Sequence, residues 1–229
     1  MPNFIFVGSN SDISKECENS LASSNIFKIA RSNSDFNITD AGNFEEMEKA
    51  FATAKEKLGK IDGVVNFCGS LLLKPAHLTS FEEYSSVINS SLTSAFATVR
   101  SIAKNGFSDC STVLISSAVA MIGVANHEAI SAAKAGILGL TKSASATYAN
   151  KNLRFNAILP SLIETKLTKK ITQNEESVKY SIALNGLNRI GTAKDVANMI
   201  VFLLNPENSF ITGSNFTVEG GLCNTKLKK

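Results

Sequence analysis

Tryptophan is absent from this chain of 229 residues, histidine occurs only as His77 and His127, and proline appears four times. Cysteine is also sparse. Cys17, Cys68, Cys110 and Cys223 lie far apart, none forms a Cys-x-x-Cys pair, and no His/Cys cluster has metal-ligand spacing. A zinc framework and a disulfide scaffold are therefore excluded, and buried free thiols in a reducing compartment are expected. No apolar run reaches the ~18 residues of a membrane-spanning helix. The first strand begins at Asn3, which leaves no space for a signal peptide, so the expected location is cytoplasmic. Charge of one sign is lacking as well, with a net charge of only +3. Lys166, Lys169 and Lys170 are expected on a solvated helix face, and Lys228 and Lys229 in a basic C-terminal tail over 224–229. Without a basic face interleaved with aromatics, nucleic acid is not an expected partner, and neither is a membrane.

What is present is a large core. Hydrophobic residues make up 44% and charged ones 19%, and residues 1–223 are expected to form a single domain with no linker. Short apolar runs alternate with helical patterns. Strands are expected at 3–7, 25–30, 62–66, 113–115, 154–159 and 215–218. Helices are expected at 13–22, 44–58, 81–102 (with an interruption), 129–148 and 193–204. Ser32–Asp40 is rich in Ser, Asn and Asp and is expected to be loop. This order predicts an α/β fold, a doubly wound parallel sheet with helices on both faces. The polar stretch Thr165–Leu187 falls where a mobile lid over a cleft would lie.

Chemistry-bearing residues gather after the strands. Val7-Gly8-Ser9-Asn10-Ser11-Asp12-Ile13-Ser14 joins the first strand to the first helix. N–H groups at a helix start can hold a pyrophosphate, and a simple capped turn is the other reading. Val113-Leu114-Ile115 runs into Ser116-Ser117, and the next helix carries Ile130-Ser131-Ala132-Ala133-Lys134. A polar pair at a strand's C-terminal end with a lysine on the following helix suits the ligand-binding edge of an α/β sheet.

These stretches resemble the short-chain dehydrogenase/reductase family, in register from Asn3 to about Leu222. The first loop is similar to the family's Thr-Gly-x-x-x-Gly-x-Gly, with Asp12 and Ser14 in place of the second and third glycines. Asn66-Phe67-Cys68-Gly69 resembles its Asn-Asn-Ala-Gly. Arg154-Phe155-Asn156-Ala157-Ile158-Leu159-Pro160-Ser161 resembles its Arg-Val-Asn-x-Val-x-Pro-Gly, followed by Ile163 and Thr165. Arg189-Ile190-Gly191, Asp195-Val196-Ala197, Phe210-Ile211-Thr212-Gly213 and Val218-Glu219-Gly220-Gly221 also match.

The resemblance implies a Rossmann-type fold, oxidoreductase chemistry on a small carbonyl or hydroxyl compound, and a homodimer or homotetramer. Its helices near 81–102 and 129–148, or the strand 215–218, would form the interfaces. It implies dinucleotide contacts at Gly8, Ser9, Asn10, Ser11, Ile13, Arg31, Asn37, Ile38, Asn66, Gly69, Lys134, Pro160, Ile163 and Thr165. Strand two ends in Ala30-Arg31-Ser32. A guanidinium there suits a 2′-phosphate and favours NADP over NAD, unless Arg31 is only a solvated strand end.

The family's catalytic set is serine, tyrosine, lysine and asparagine. Ser117 and Lys134 match, while Ile130 stands at the tyrosine position and Ser91 at the asparagine position. His127 is a candidate substitute acid or base, as is Tyr180 from the lid. Cys68 near the cofactor is expected to be a small buried hydrophobe. Three readings remain open. They are an NADP-dependent oxidoreductase with an altered proton route, an inactive cofactor-binding or scaffold protein, and a lyase- or isomerase-like use of the cleft.

Overall fold

Every core strand of this chain is short and apolar on both faces, which a sheet tolerates only when helices cover both sides. The computed structural model, which describes residues 1–226, has that arrangement. Of the expected tail 224–229, residues 227–229 lie outside the described residues. Asn224 and Thr225 instead close a turn, the Thr225 hydroxyl donating to the Gly221 carbonyl.

The strands are β1 (Asn3–Val7), β2 (Asn25–Ala30), β3 (Phe36–Asn37), β4 (Gly63–Asn66), β5 (Ser111–Ile115), β6 (Arg154–Pro160) and β9 (Asn215–Val218). They form one seven-stranded parallel sheet in the order β3-β2-β1-β4-β5-β6-β9. Two further strands, β7 (Ile163–Glu164) and β8 (Gly191–Thr192), pair outside it. The helices are α1 (Asp12–Ser20), α2 (Phe44–Leu58), α3 (Phe81–Ile88), α4 (Ser94–Lys104), α5 (Glu128–Thr147), α6 (Lys169–Thr172), α7 (Glu175–Leu184) and α8 (Ala193–Leu204).

Alternation along each strand divides the core into two layers. Ile5, Val7, Leu114, Phe155, Ala157 and Leu159 face α2, α4 and α5. Phe4, Phe6, Val113 and Ile158 face α1 and α8. Several helices start where capping side chains satisfy their free N–H groups. Asn43 caps α2, and Ser80 and Thr192 form capping boxes on α3 and α8. Asp195, the acidic member of the second box, also holds Arg189 through two contacts of 2.7 and 2.9 Å. That guanidinium keeps its carboxyl well below the usual carboxylate range.

Three local features depart from expectation. The Ser/Asn/Asp-rich stretch 32–40 contributes β3, held on β2 by Ile29–Phe36 and Ala30–Asn37 pairing. The interruption in the 81–102 helix is a π turn over Asn89–Thr93, between α3 and α4. The polar segment 163–191 begins and ends on the β7–β8 pair, so its two ends are joined. Neither α6 nor α7 buries any residue, which fits a segment lying over a cleft rather than in the core. No helix among the described residues is long and apolar enough to cross a membrane.

Candidate active site

Parallel strands all end at one edge, and the order of this sheet reverses between β1 and β4, so their C-terminal loops diverge and leave a crevice. A cavity of about 570 Å³ opens there. It is bordered by the loops after β1, β4, β5 and β6, by the first turns of α5, and by α6 and α7.

The β1 loop leaves several hydrogen-bond donors without partners. Gly8 has φ +75°, and a side chain there would press on the Cys68 sulfur and backbone at 3.0–3.1 Å. Ser11 caps α1 by accepting from Ser14 N–H, which leaves the N–H groups of Asp12 and Ile13, at the first two helical positions, without intrahelical partners. The Ser9 hydroxyl is buried and has no partner. Asp12, at the position of the family's second glycine, faces the lid. Its carboxylate accepts from Lys166 N–H at 2.7 Å, and the Lys166 ammonium stands 3.9 Å away.

The β4 loop carries a different division of labour from the one expected. Asn66 does not line the cavity; its amide donates to Thr98 Oγ1 and its carbonyl accepts from Cys68 N–H, which shapes the loop. Gly69 leaves room for Lys134, whose Nζ would lie 3.2 Å from any added Cβ, with Ser91 Oγ at 3.7 Å. Ser91 is buried on the π turn and its hydroxyl is unpartnered. Asn89 points elsewhere, donating to Asp40 at 2.7 Å. Burial pushes the Cys68 thiol up to about 12, so it is inert at neutral pH.

The two serines after β5 have separate tasks. Ser116 donates to the Lys134 carbonyl at 2.8 Å and fastens α5 to the strand end. Ser117 lines the cavity, donates to the Pro160 carbonyl at 3.3 Å and caps the short helical turn that follows. On α5, His127, Ile130 and Lys134 also line the cavity. Lys134 is 7% exposed and donates to the Ile115 carbonyl at 2.7 Å. Desolvation lowers its pKa from 10.5 to about 8. His127 is the half-buried N-cap of α5, with Nδ1 2.7 Å from the Ala125 carbonyl.

The structure therefore brings together Asn10, Ser11, Ile13, Gly69, Ser117, His127, Ile130, Lys134, Pro160, Ile163 and Thr165 around one cavity. Gly8, Ser9, Arg31, Asn37 and Ile38 lie outside it, at the ends of β1 and β2 and at β3. Arg31 and Asn37 are exposed and Ile38 is buried. Sequence reasoning missed the apolar wall of Leu71, Leu73, Val124, Leu167, Ile171 and Leu184, which comes from loops and from the lid. It also missed the Asp12–Lys166 contact, because the partners are 154 residues apart.

A family model described as enoyl-(acyl carrier protein) reductase matches residues 17–223. The chain belongs to the short-chain dehydrogenase/reductase family. It is 31% identical over 194 residues to the 3-oxoacyl-(acyl-carrier-protein) reductase FabG of Thermotoga maritima, covering 81% of this chain and 74% of that one. It is equally 31% identical over 193 residues to the short-chain dehydrogenase/reductase aba4 of Botryotinia fuckeliana, covering 80% and 74%. Among solved structures it resembles the aldohexose dehydrogenase of Thermoplasma acidophilum in ligand-free form. That match has a TM-score of 0.91 at 25% identity, over 100% of this chain and 96% of that one.

Membership puts weight on the buried lysine. A charged amine held among apolar groups costs stability that only a ligand or partner can offset. Lys134→Met should raise the unfolding free energy at neutral pH by about 2 kcal/mol. The sign follows from the lowered pKa. Below about 8 the folded chain must carry a desolvated ammonium, and the deficit fades as pH rises towards the unfolded value of 10.5. Denaturant melts of both proteins across that range check this, the gap between them closing at alkaline pH.

Proposed function

We propose that the protein is an NADP-preferring carbonyl reductase or alcohol dehydrogenase with an altered proton route. The observation that carries this reading is the convergence of Ser117 and Lys134 on one cavity, beside a β1 loop whose N–H groups and Ser9 hydroxyl lack partners. Those free donors fit a pyrophosphate. The exposed Arg31 at the end of β2 fits a 2′-phosphate, with Asn37 and Ile38 beside the adenine. Lys134 fits the hydroxyls of the nicotinamide ribose, with Thr165, Ile163 and Pro160 on the other wall. When bound, the dinucleotide supplies or removes a hydride.

The chain's own residues do the rest. Ser117 donates a hydrogen bond to the substrate oxygen and holds it at the strand edge. Lys134, whose pKa lies near 8, keeps a positive field over the reacting carbon and oxygen. The apolar wall excludes water and selects a carbonyl compound with an apolar substituent. Of the three lid lysines only Lys166 lines the cavity, and its ammonium stands 3.9 Å from the Asp12 carboxylate. The Thermotoga relative is a 3-oxoacyl-(acyl-carrier-protein) reductase, which agrees with an apolar chain in the cleft.

A second reading, cofactor binding without turnover, is favoured by Ile130, which holds no proton at the family's tyrosine position, and by Ser91 at its asparagine position. A homodimer or homotetramer also forms part of the proposal. Phe81, Tyr84 and Phe96 expose large apolar area on α3 and α4, where the interface was expected. A cytoplasmic location is proposed with it.

The test is oxidation of NADPH against apolar ketones and aldehydes, cyclohexanone among them. Turnover supports the reductase reading; binding of NADPH without turnover of any compound supports the second. Arg31→Ala should weaken NADPH binding by about tenfold while leaving NADH binding within about twofold, since it removes one charge-assisted phosphate contact. Titration of each nucleotide into wild type and variant checks this.

A further inference from the structure

The missing proton donor has a candidate one helical turn away. His127, Ile130 and Lys134 occupy positions i, i+3 and i+7 from the N-cap of α5, and all three line the cavity that Ser117 also lines. His127 is fixed in a way that decides its chemistry. Nδ1 lies 2.7 Å from the Ala125 carbonyl oxygen, and a carbonyl can only accept. Nδ1 therefore keeps its hydrogen in both charge states, and the proton that comes and goes belongs to Nε2. Nε2 has no protein partner among the described residues.

The other ionisable groups of the cavity wall are less suited. Asp12 is bound to Lys166, and Lys134 is tied to the Ile115 carbonyl and sits under Gly69. Glu176 and Tyr180 stand on α7, which buries no residue and so holds them loosely over the cavity. Glu128, next to His127 in sequence, accepts from Ala76 N–H at 3.4 Å.

We propose that His127 is the general acid and base of this active site, acting through Nε2 in place of the tyrosine expected at position 130. This rests on the reductase reading of the cleft. In the reducing direction the carbonyl carbon gains the hydride delivered by bound NADPH, and the π pair of the carbonyl moves onto oxygen. That oxygen takes the Nε2 proton, the Nε2–H bond breaks, and the imidazolium becomes neutral imidazole. Solvent at the cavity mouth returns the proton. Oxidation of the alcohol runs the same transfers backwards, with neutral Nε2 as the base. Ser117 orients the oxygen in both directions, and Ile130 contributes bulk only.

Because the chain has only two histidines, ring NMR is direct. Long-range proton–nitrogen spectra of wild type and of His77→Gln assign the His127 signals. The Nδ1–H tautomer is expected, with Nε2 shifting when cyclohexanol is added to the NADP⁺-bound protein. In kinetics, His127→Gln should lower carbonyl reduction about a hundredfold, within the range of general acid catalysis, with NADPH affinity within about twofold of wild type. Any fall in wild-type reduction rate with rising pH that follows the His127 ring signals in the NMR spectra should be absent from His127→Gln, and added imidazole should restore part of the activity of His127→Ala. Lys134, Asp12, Lys166, Glu176 and Tyr180 remain in both proteins, so their titrations cancel in the comparison.

Turnover of His127→Gln within about twofold of wild type would overturn the proposal and leave the reductase reading standing. So would an Nε2–H tautomer with a free Nδ1. Failure of wild-type protein to turn over any carbonyl while binding NADPH would overturn both.

Discussion

Ile130→Tyr, introduced into a His127→Ala background, should recover about a hundredfold in carbonyl reduction. The expected gain is the size of a general acid contribution, because the substitution places a phenol between Ser117 and Lys134, where the family's tyrosine stands. Ile130 is 4% exposed and packs with Val87, Ala129 and Ala133, so a larger side chain cannot simply replace it in place. Overpacking that cluster would cost about 1–3 kcal/mol. The adjoining cavity of about 570 Å³ offers the ring another course, towards Lys134. There the ammonium would stabilise the phenolate and lower its pKa. Steady-state kinetics of the double variant against His127→Ala alone checks this. A double variant as slow as His127→Ala, with NADPH still bound, would show that the cleft does not present the substrate oxygen to that position.

Phe155→Ala should destabilise the fold by about 3–5 kcal/mol, the usual cost of truncating a buried phenylalanine. Phe155 is fully buried on β6, its ring centre is 6.0 Å from that of Tyr148, and it lies in the layer shared with α2, α4 and α5. The strand it sits on ends at Pro160, which accepts from Ser117, so core and site share one support. Chemical denaturation monitored by circular dichroism reads the loss. Against a total stability of about 5–15 kcal/mol for a protein of ordinary size, that loss is a large fraction, and bound ligand would offset part of it.

The legibility of the chain follows the range of the interactions involved. β1 and β6 were readable because each is an unbroken apolar run, and a fully buried parallel strand needs nothing else. Helix α8 was readable to the residue because Thr192 and Asp195 announce its start. β3, β7 and β8 were not, since each has two residues whose pairing depends on a neighbour far along the chain. The π turn at Asn89–Thr93 left only a vague break in periodicity.

The site divides in the same way. Ser117, Ile130 and Lys134 were placed by the resemblance to the family's catalytic segment, which one strand end and one helix carry in register. Asn66 was assigned to the cofactor, yet its side chain is spent on Thr98 and on Cys68 N–H, a choice made by packing. The partner of Asp12, Lys166, was set by the fold across 154 residues of sequence. His127 gave no signal beyond its neighbourhood. Its fixed tautomer depends on how the chain bends at Ala125-Asn126, where Asn126 has φ +62°.

The account as a whole depends on the cleft accepting a dinucleotide, and calorimetric titration of NADPH and NADH measures that most directly. NADPH should bind with a simple one-site isotherm and more tightly than NADH, the preference disappearing in Arg31→Ala. Absence of heat and of binding with both nucleotides would contradict the account, and with it the roles given to Ser9, Lys134 and His127.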